Sequence, residues 1–311
     1  MELSLVITVF NEEQNIKPLL ESVRAALKDF SYEVIVVDDG SRDKTAAEVR
    51  HHADAHVKLI SLYRNYGQTA AMAAGIDAAS GTYIVTLDGD LQNDPKDIPR
   101  MLEYLKREDL DVVVGNRRHR KDKALLRKFP SRVANWIIRN ATGVHLHDYG
   151  CTLKVFRSDI AKQLDLHGEL HRFIPVLLVL LGARIGEMDV LHHARVHGKS
   201  KYGLGRTLRV MSDLVLMVFL QKYFRRPMHL FGSTGIISLV CGTVITSYLL
   251  YLKFMGQSIG SHPLVFAGGV LIVLGIHLII FGLLFEVIMR TYYGSQNKKI
   301  YTIREIFTKT S

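Results

Sequence analysis

Asp88 and Asp90 stand one residue apart where a run of strand-forming residues ends, in the stretch VTLDGDLQNDP (85–95). Alternate side chains along an extended backbone share a face, so the two carboxylates point the same way. Burying unpaired negative charge is expensive, so a cation belongs beside them. Carboxylate oxygens suit Mg²⁺ or Mn²⁺, which bind through one or two carboxylates together with substrate phosphates. The chemistry read from this pair is a metal-bridged diphosphate. Further acids follow other apolar runs: Glu12 and Glu13 after Leu3–Phe10, and Asp38 and Asp39 after Glu33–Val37.

The elements that must position these acids alternate. Strands are expected over Leu3–Phe10, Glu33–Asp38, Val57–Leu62, Thr82–Leu87 and Leu110–Gly115. Helices are expected over Glu13–Phe30, Lys44–His52, Gln68–Ser80 and Pro95–Arg107, the last with a proline at its start. Repeated strand–helix units predict an α/β fold with a mostly parallel sheet flanked by helices. Such sheets bind ligands at the carboxyl ends of their strands, where the acids lie. Two common nucleotide motifs are missing. No G-x-G-x-x-G follows the first strand, and Gly198-Lys199-Ser200 has His193 where a P-loop needs its first glycine.

The rear of the chain is different. His229–Leu252 and Leu264–Met289 are almost free of charge, and each exceeds the roughly 20 residues that cross a bilayer. Lys222, Arg225 and Arg226 precede the first run, and Arg290, Lys298, Lys299, Arg304 and Lys309 follow the second. The positive-inside rule then places both termini and the whole front half in the cytoplasm, on a multi-pass protein of the plasma membrane. Leu3–Phe10 is short, lacks a basic leader and does not read as a signal peptide. With Cys151 cytoplasmic and Cys241 inside a span, no disulfide is expected. Residues 1–116 hold 12 Lys+Arg against 20 Asp+Glu, a net of −8, and residues 117–311 hold 28 against 10, a net of +18. Basic charge flanking membrane spans points to anionic lipid headgroups and not to nucleic acid, for which no binding motif is present. The expected division is a catalytic domain at 1–203, an amphipathic juxtamembrane helix at 204–227, a two-helix membrane domain at 228–290 with spans about 229–252 and 264–289, and a basic cytoplasmic tail at 291–311.

The motifs VITVFNEE (6–13), VVDDGS (36–41), RNYGQTAAMAAGI (64–76) and DGDLQNDP (88–95), with GNRR (115–118), DYGCTLKVFR (148–157), GELHRFIP (168–175) and HGKSKYG (197–203), resemble the inverting family 2 glycosyltransferases of GT-A fold. Within them the chain is most similar to the membrane-anchored polyprenyl-phosphate glycosyltransferases. The resemblance covers nearly the whole chain. It implies a GT-A fold plus two C-terminal transmembrane helices, a UDP- or GDP-linked sugar donor, a polyprenyl phosphate acceptor (undecaprenyl or dolichyl phosphate), and a homo-oligomer, a tetramer by analogy. It also implies roles. Asp90 is a metal ligand; Asp88 contacts ribose, sugar or metal; Gln92 reaches the same metal. Phe10, Asn11 and Glu12 surround base and ribose, with Asp39 and its neighbour Asp38 at the nucleoside. Arg117 lies near the transferring phosphates. Arg195, Ser200 and Lys201 resemble the acceptor-phosphate segment, and Arg172 is a candidate on the membrane-facing side. The chain departs from relatives at Val9, often proline, and at Asn93-Asp94-Pro95, where two prolines are common.

A phosphate monoester is largely an oxyanion at neutral pH, so it can attack an anomeric carbon without a general base. The protein must supply alignment, leaving-group neutralisation and a cationic acceptor seat. Residues 117–132 hold eight basic side chains, Lys128 among them, against Asp122. That cluster reads equally as an anchor to anionic lipid. Asp148 reads equally as a structural acid or as a sugar-pocket residue. Asp94 and Asp97 read as helix N-terminal charges. His145, His147, His192 and His193 lack metal-ligand spacing and read as surface or hydrogen-bonded histidines. Two other functions share the catalytic domain. A processive polysaccharide synthase would need Q-x-x-R-W, but the single tryptophan, Trp136, sits in ANWIIRN. A non-catalytic membrane scaffold would have no use for acids at every strand end.

Overall fold

The computed structural model describes residues 1–118, 146–164, 166, 170–194, 227–259, 263–295 and 303–308. They fall into two compact units: the front half together with the last strand, and the two long helices.

In the first unit the elements run β1 (Leu3–Val9), α1 (Ile16–Leu27), β2 (Tyr32–Asp38), α2 (Thr45–His52), β3 (Val57–Leu62), α3 (Gln68–Ala78), β4 (Tyr83–Asp88), α4 (Asp97–Arg107), β5 (Val112–Asn116), β6 (Lys154–Arg157), α5 (Ser158–Ala161), α6 (Ile174–Leu180) and β7 (Ile185–Asp189). The expected alternation through β5 is present, with strand ends shifted by one or two residues. β1 is buried along its whole length, which is why it shows no polar alternation. It is central in the eight-stranded sheet β7-β5-β6-β4-β1-β2-β3-β8, where β8 spans Ile303–Thr308. Pairs β1–β2, β1–β4, β2–β3 and β5–β7 are parallel. β6 runs antiparallel to both β4 and β5.

Helices cover both faces. The alanine-rich α3 packs with Val6, Ile35 and Val37 on one side. Leu19, Leu20 and Val23 of α1 and Met101, Leu102 and Leu105 of α4 pack with Leu5, Ile7 and Val36 on the other. These are the i, i+3, i+4 stripes expected of helices that cover a sheet. Val9 and Asp38 are paired across β1–β2, and Thr8 and Asp88 across β1–β4. The ends of β2 and β4 therefore flank β1 at nearly the same level, which brings Asp38 and Asp88 to one edge of the sheet.

The last strand was not legible in the sequence. Residues 303–308, read there as part of a basic tail, form β8 and run antiparallel to β3 along the sheet edge. Ile303 and Phe307 pack against the two core faces. An amphipathic run of short length inside a basic segment carries no local strand signal; pairing with β3, some 240 residues earlier, supplies the partner.

The second unit consists of α7 (Pro227–Phe254) and α8 (Pro263–Ser295). Leu230–Phe254 and Pro263–Phe285 are long and apolar enough to cross a membrane. The helices pack through small residues: a Cβ on Gly235 would lie 2.9 Å from the Gly275 carbonyl oxygen, and one on Gly275 2.8 Å from that of Gly235. Such close backbone approach is the usual way for helices to pack in lipid, where no hydrophobic drive separates them from solvent. Ser238 Oγ donates to the Leu271 carbonyl across the interface at 2.8 Å. Ile237, Val244, Phe266 and Val273 face outward, as lipid-facing side chains do. The expected juxtamembrane helix lies outside the described residues.

Candidate active site

Each acid at the strand ends is fixed by a specific local device. Asp38, buried at the end of β2, accepts from the Ser41 backbone N–H at 3.0 Å and from the Ser41 hydroxyl. Asp39 accepts from the backbone N–H groups of Tyr66 and Gly67 at 2.7 and 2.9 Å, tying β2 to the turn before α3. Burial pushes both carboxyls up, and Asp38 adds to the rise at Asp39. Gly40 has φ of +70°, and a Cβ there would sit 2.5 Å from the Arg64 carbonyl carbon, so a side chain would be both strained and obstructed. Asn11, in the left-handed region at φ 53°, accepts from the Arg42 N–H at 2.8 Å. Its own N–H donates to Ser41 Oγ, and that of Glu12 donates to Thr45 Oγ1. The Glu12 carboxylate accepts from Asn15 Nδ2 at 2.6 Å. The FNEE stretch thus pins the end of β1 to the β2–α2 loop.

At the end of β4, Gln68 Nε2 and Thr152 Oγ1 each donate to Asp88 at 2.6 Å, one to each carboxylate oxygen. Burial, then the charge of Asp90, raises the Asp88 carboxyl to about 6. Asp90 is buried, and its carboxylate accepts from the Gln92 N–H at 3.2 Å. Gly89 between them packs on β1: a Cβ would lie 2.5 Å from Val9 Cγ1. The D-G-D turn is therefore seated against the central strand. Two carboxylates that repel each other in a buried turn, with an amide at Gln92, are oxygen donors suited to a hard divalent cation.

Arg117, at the end of β5, forms a bidentate pair with Asp148: Nε–Oδ2 is 2.6 Å and Nη2–Oδ1 is 3.0 Å. Both are mostly buried, at 14% and 19% side-chain exposure, so the pair is shielded from water. Burial alone would raise the Asp148 carboxyl, but Arg117 outweighs it and holds the carboxyl below its usual range. The pair gives Asp148 a structural role as the partner of Arg117. It also anchors the Arg117 guanidinium on one face. Arg117 and Lys154 both act on Asp88 electrostatically, lowering its carboxyl. Lys154 is fully buried in β6 and bonded to the Cys151 carbonyl.

The segment after β7 holds the acidic turn from outside. Asn93 pairs with His192, the His193 N–H donates to the Gln92 carbonyl at 2.7 Å, and His193 Nε2 lies 3.1 Å from Asp94. The His193 ring is thus hydrogen-bonded, and His192 takes part through its backbone bridge. Asp97 is not merely a helix N-terminal charge: it is buried and accepts from the Leu191 N–H at 2.7 Å.

Phe10, Asn11, Glu12, Asp38, Asp39, Asp88, Asp90, Gln92 and Arg117 thus lie along the carboxyl edge of the sheet. Lys128, Arg195, Ser200 and Lys201 lie outside the described residues, and Arg172 ends a short 3₁₀ turn, Leu170–Arg172. Sequence reasoning missed Gln68, Thr152 and Lys154. Gln68 was visible only as part of the RNYGQ motif, and Thr152 and Lys154 only as part of DYGCTLK; neither carries a charge pattern pointing at Asp88.

A mostly parallel sheet with acids at the carboxyl ends of β1, β2 and β4 is the arrangement expected of a GT-A fold. The family model described as Glycosyl transferase family 2 matches residues 4–165, and the chain belongs to that family. It is 49% identical, over 100% of its length and 94% of the relative's, to a dodecaprenyl-phosphate galacturonate synthase of Rhizobium johnstonii. It is 35% identical, over 98% and 94%, to an undecaprenyl-phosphate 4-deoxy-4-formamido-L-arabinose transferase of Photorhabdus laumondii. Among solved structures, glucosyl-3-phosphoglycerate synthase from Mycobacterium tuberculosis in complex with Mn²⁺ and UDP-glucose superposes with a TM-score of 0.55 at 16% identity, covering 71% of this chain and 78% of that one. S. aureus TarS in complex with UDP-GlcNAc superposes with a TM-score of 0.51 at 19% identity, over 71% and 68%. At these identities the two structures bear on the fold.

Proposed function

We propose that the chain transfers one sugar from a UDP- or GDP-linked donor to a polyprenyl phosphate at the cytoplasmic face of the plasma membrane, inverting the anomeric centre. The carrying observation is the pairing register: β1 holds Asp38 on one side and Asp88 on the other, beside a cavity of about 530 Å³, in a chain that continues into two membrane-length helices. Full-length similarity to relatives named for polyprenyl-phosphate sugar transfer supports the acceptor.

In this reading Asp38 and Asp39 hold the nucleoside end of the donor, and Asp88, Asp90 and Gln92 hold a Mg²⁺ or Mn²⁺ ion. The ion, when bound, neutralises the departing diphosphate as a Lewis acid. Gln68 and Thr152 fix the Asp88 carboxylate in one orientation, so little reorganisation accompanies donor binding. Arg117, braced by Asp148, presents positive charge toward the same edge. The acceptor phosphate arrives as an oxyanion and attacks the anomeric carbon from the face opposite the leaving group. Lys128, Arg172, Arg195, Ser200 and Lys201 are the proposed seat for that phosphate. The return of the chain from α8 into β8 of the catalytic sheet supports one side for the catalytic unit and the C-terminal strand. That agrees with the positive-inside reading.

A phosphate oxyanion attacks without a general base, whereas a neutral alcohol needs one to take its proton. With undecaprenyl phosphate as acceptor, labelled sugar should enter the lipid phase; with undecaprenol the rate should fall by at least about 10²-fold. Comparable transfer to undecaprenol would contradict the proposed mechanism.

A further inference from the structure

The cavity beside Asp38 has an unexpected wall. Besides Phe10, Asp38 and Ser41 it is lined by Arg64 after β3 and by Arg304 and Glu305 of β8. Its volume of about 530 Å³ falls within the range of small-ligand sites. The last strand of the chain, beyond both membrane helices, therefore closes the pocket on its outer side.

The register explains how. Ser61 pairs with Glu305 and Leu62 with Ile303, so Arg304 is an extra residue in β8 opposite the Ser61–Leu62 step. An extra residue of this kind bends the strand and re-aims a side chain, and such bulges cluster next to active sites. Glu305 is occupied: its carboxylate pairs with Arg50 Nη2 of α2 at 2.6 Å, fastening β8 to the pocket wall. The Arg304 side chain forms no hydrogen bond or ion pair among the described residues, and Arg304 is exposed where it lines the cavity.

We propose that Arg304 is a donor-binding residue that contacts the nucleobase; this rests on the donor reading above. The position selects the base over the phosphates. The pocket lies on the β2–β3–β8 side of β1, whereas the paired acids proposed to face the diphosphate lie on the β4 side. A guanidinium stacks on flat rings and donates to carbonyl oxygens in its plane. Uracil and guanine carry such exocyclic oxygens, and adenine does not. Arg304 thus favours a base of the first kind, and donor affinity depends on a strand that reaches the sheet only after the chain has passed through the second unit.

The test is calorimetric titration of the full-length protein in detergent with UDP, GDP and ADP in the presence of Mn²⁺, for the native chain, Arg304→Ala, Arg304→Lys and Arg304→Gln. The native chain should bind UDP or GDP more tightly than ADP. Arg304→Ala should weaken the preferred nucleotide about tenfold, while ADP changes less than twofold. In transfer assays the loss should fall on the donor KM, with kcat and the KM for polyprenyl phosphate little changed. If removing the side chain prevents folding, the lysine and glutamine variants carry the same comparison. Dissociation constants within twofold of the native value would overturn the assignment, as would equal losses for all three nucleotides, the mark of a merely structural strand. A native chain that binds none of the three would instead contradict the donor reading itself.

Discussion

Asp90→Ala will lower sugar transfer by at least about 10³-fold while leaving the protein in the membrane fraction. Loss of a metal ligand at a departing diphosphate removes several kcal/mol of charge stabilisation, and each 1.4 kcal/mol is tenfold in rate. The fold should tolerate the change. Asp90 is buried, its carboxylate accepts locally from the Gln92 N–H at 3.2 Å, and removal takes away one of two mutually repelling charges. The readouts are lipid-phase label, melting temperature in detergent and Mn²⁺-dependent nucleotide binding. Retained transfer would sink the metal assignment. Lost transfer with a lost melting transition would assign Asp90 to structure instead.

The second large effect concerns stability. Asp148→Ala leaves the Arg117 guanidinium buried without its bidentate partner, and breaking such a pair costs about 3–5 kcal/mol. For a unit of this size the melting temperature should fall by roughly 10 °C. The sign with pH is fixed by the direction of the shift. The folded Asp148 carboxyl is held below its unfolded value, so its contribution is complete above the unfolded carboxylate range and is lost as pH falls through the folded value. The deficit of the variant should therefore be largest near neutrality and shrink on acidification. The double variant Arg117→Met/Asp148→Leu should recover much of the stability, because an apolar pair avoids the desolvation of two charges. It should not recover activity. A deficit that does not change with pH, or an additive double variant, would contradict a buried pair.

Much of this was legible in the residues. Largely apolar strands with helices between them announced a parallel sheet, and acids at the ends of β2 and β4 announced its candidate binding edge. What the sequence left out depends on contacts between distant segments. Lys154 reads as a charge that should be exposed, yet β6 inserts between β4 and β5 and buries it. Ile185–Asp189 has no alternation and becomes a strand only by pairing with β5. Thr152 and Gln68 are ordinary polar residues until the fold brings both to Asp88. Arg304 was counted as a positive-inside flank; only the register with β3 turns it toward a pocket.

The most direct test of the central claim is mass spectrometry of the lipid formed by the native protein from undecaprenyl phosphate, Mn²⁺ or Mg²⁺ and a panel of nucleotide sugars. Because of the relatives' names, the panel begins with donors of galacturonic acid and of 4-deoxy-4-formamido-arabinose. The account predicts one acid-labile product whose mass is the carrier phosphate plus a single sugar residue. A ladder of repeating sugar masses, or a sugar-bearing product with no lipid attached, would contradict it.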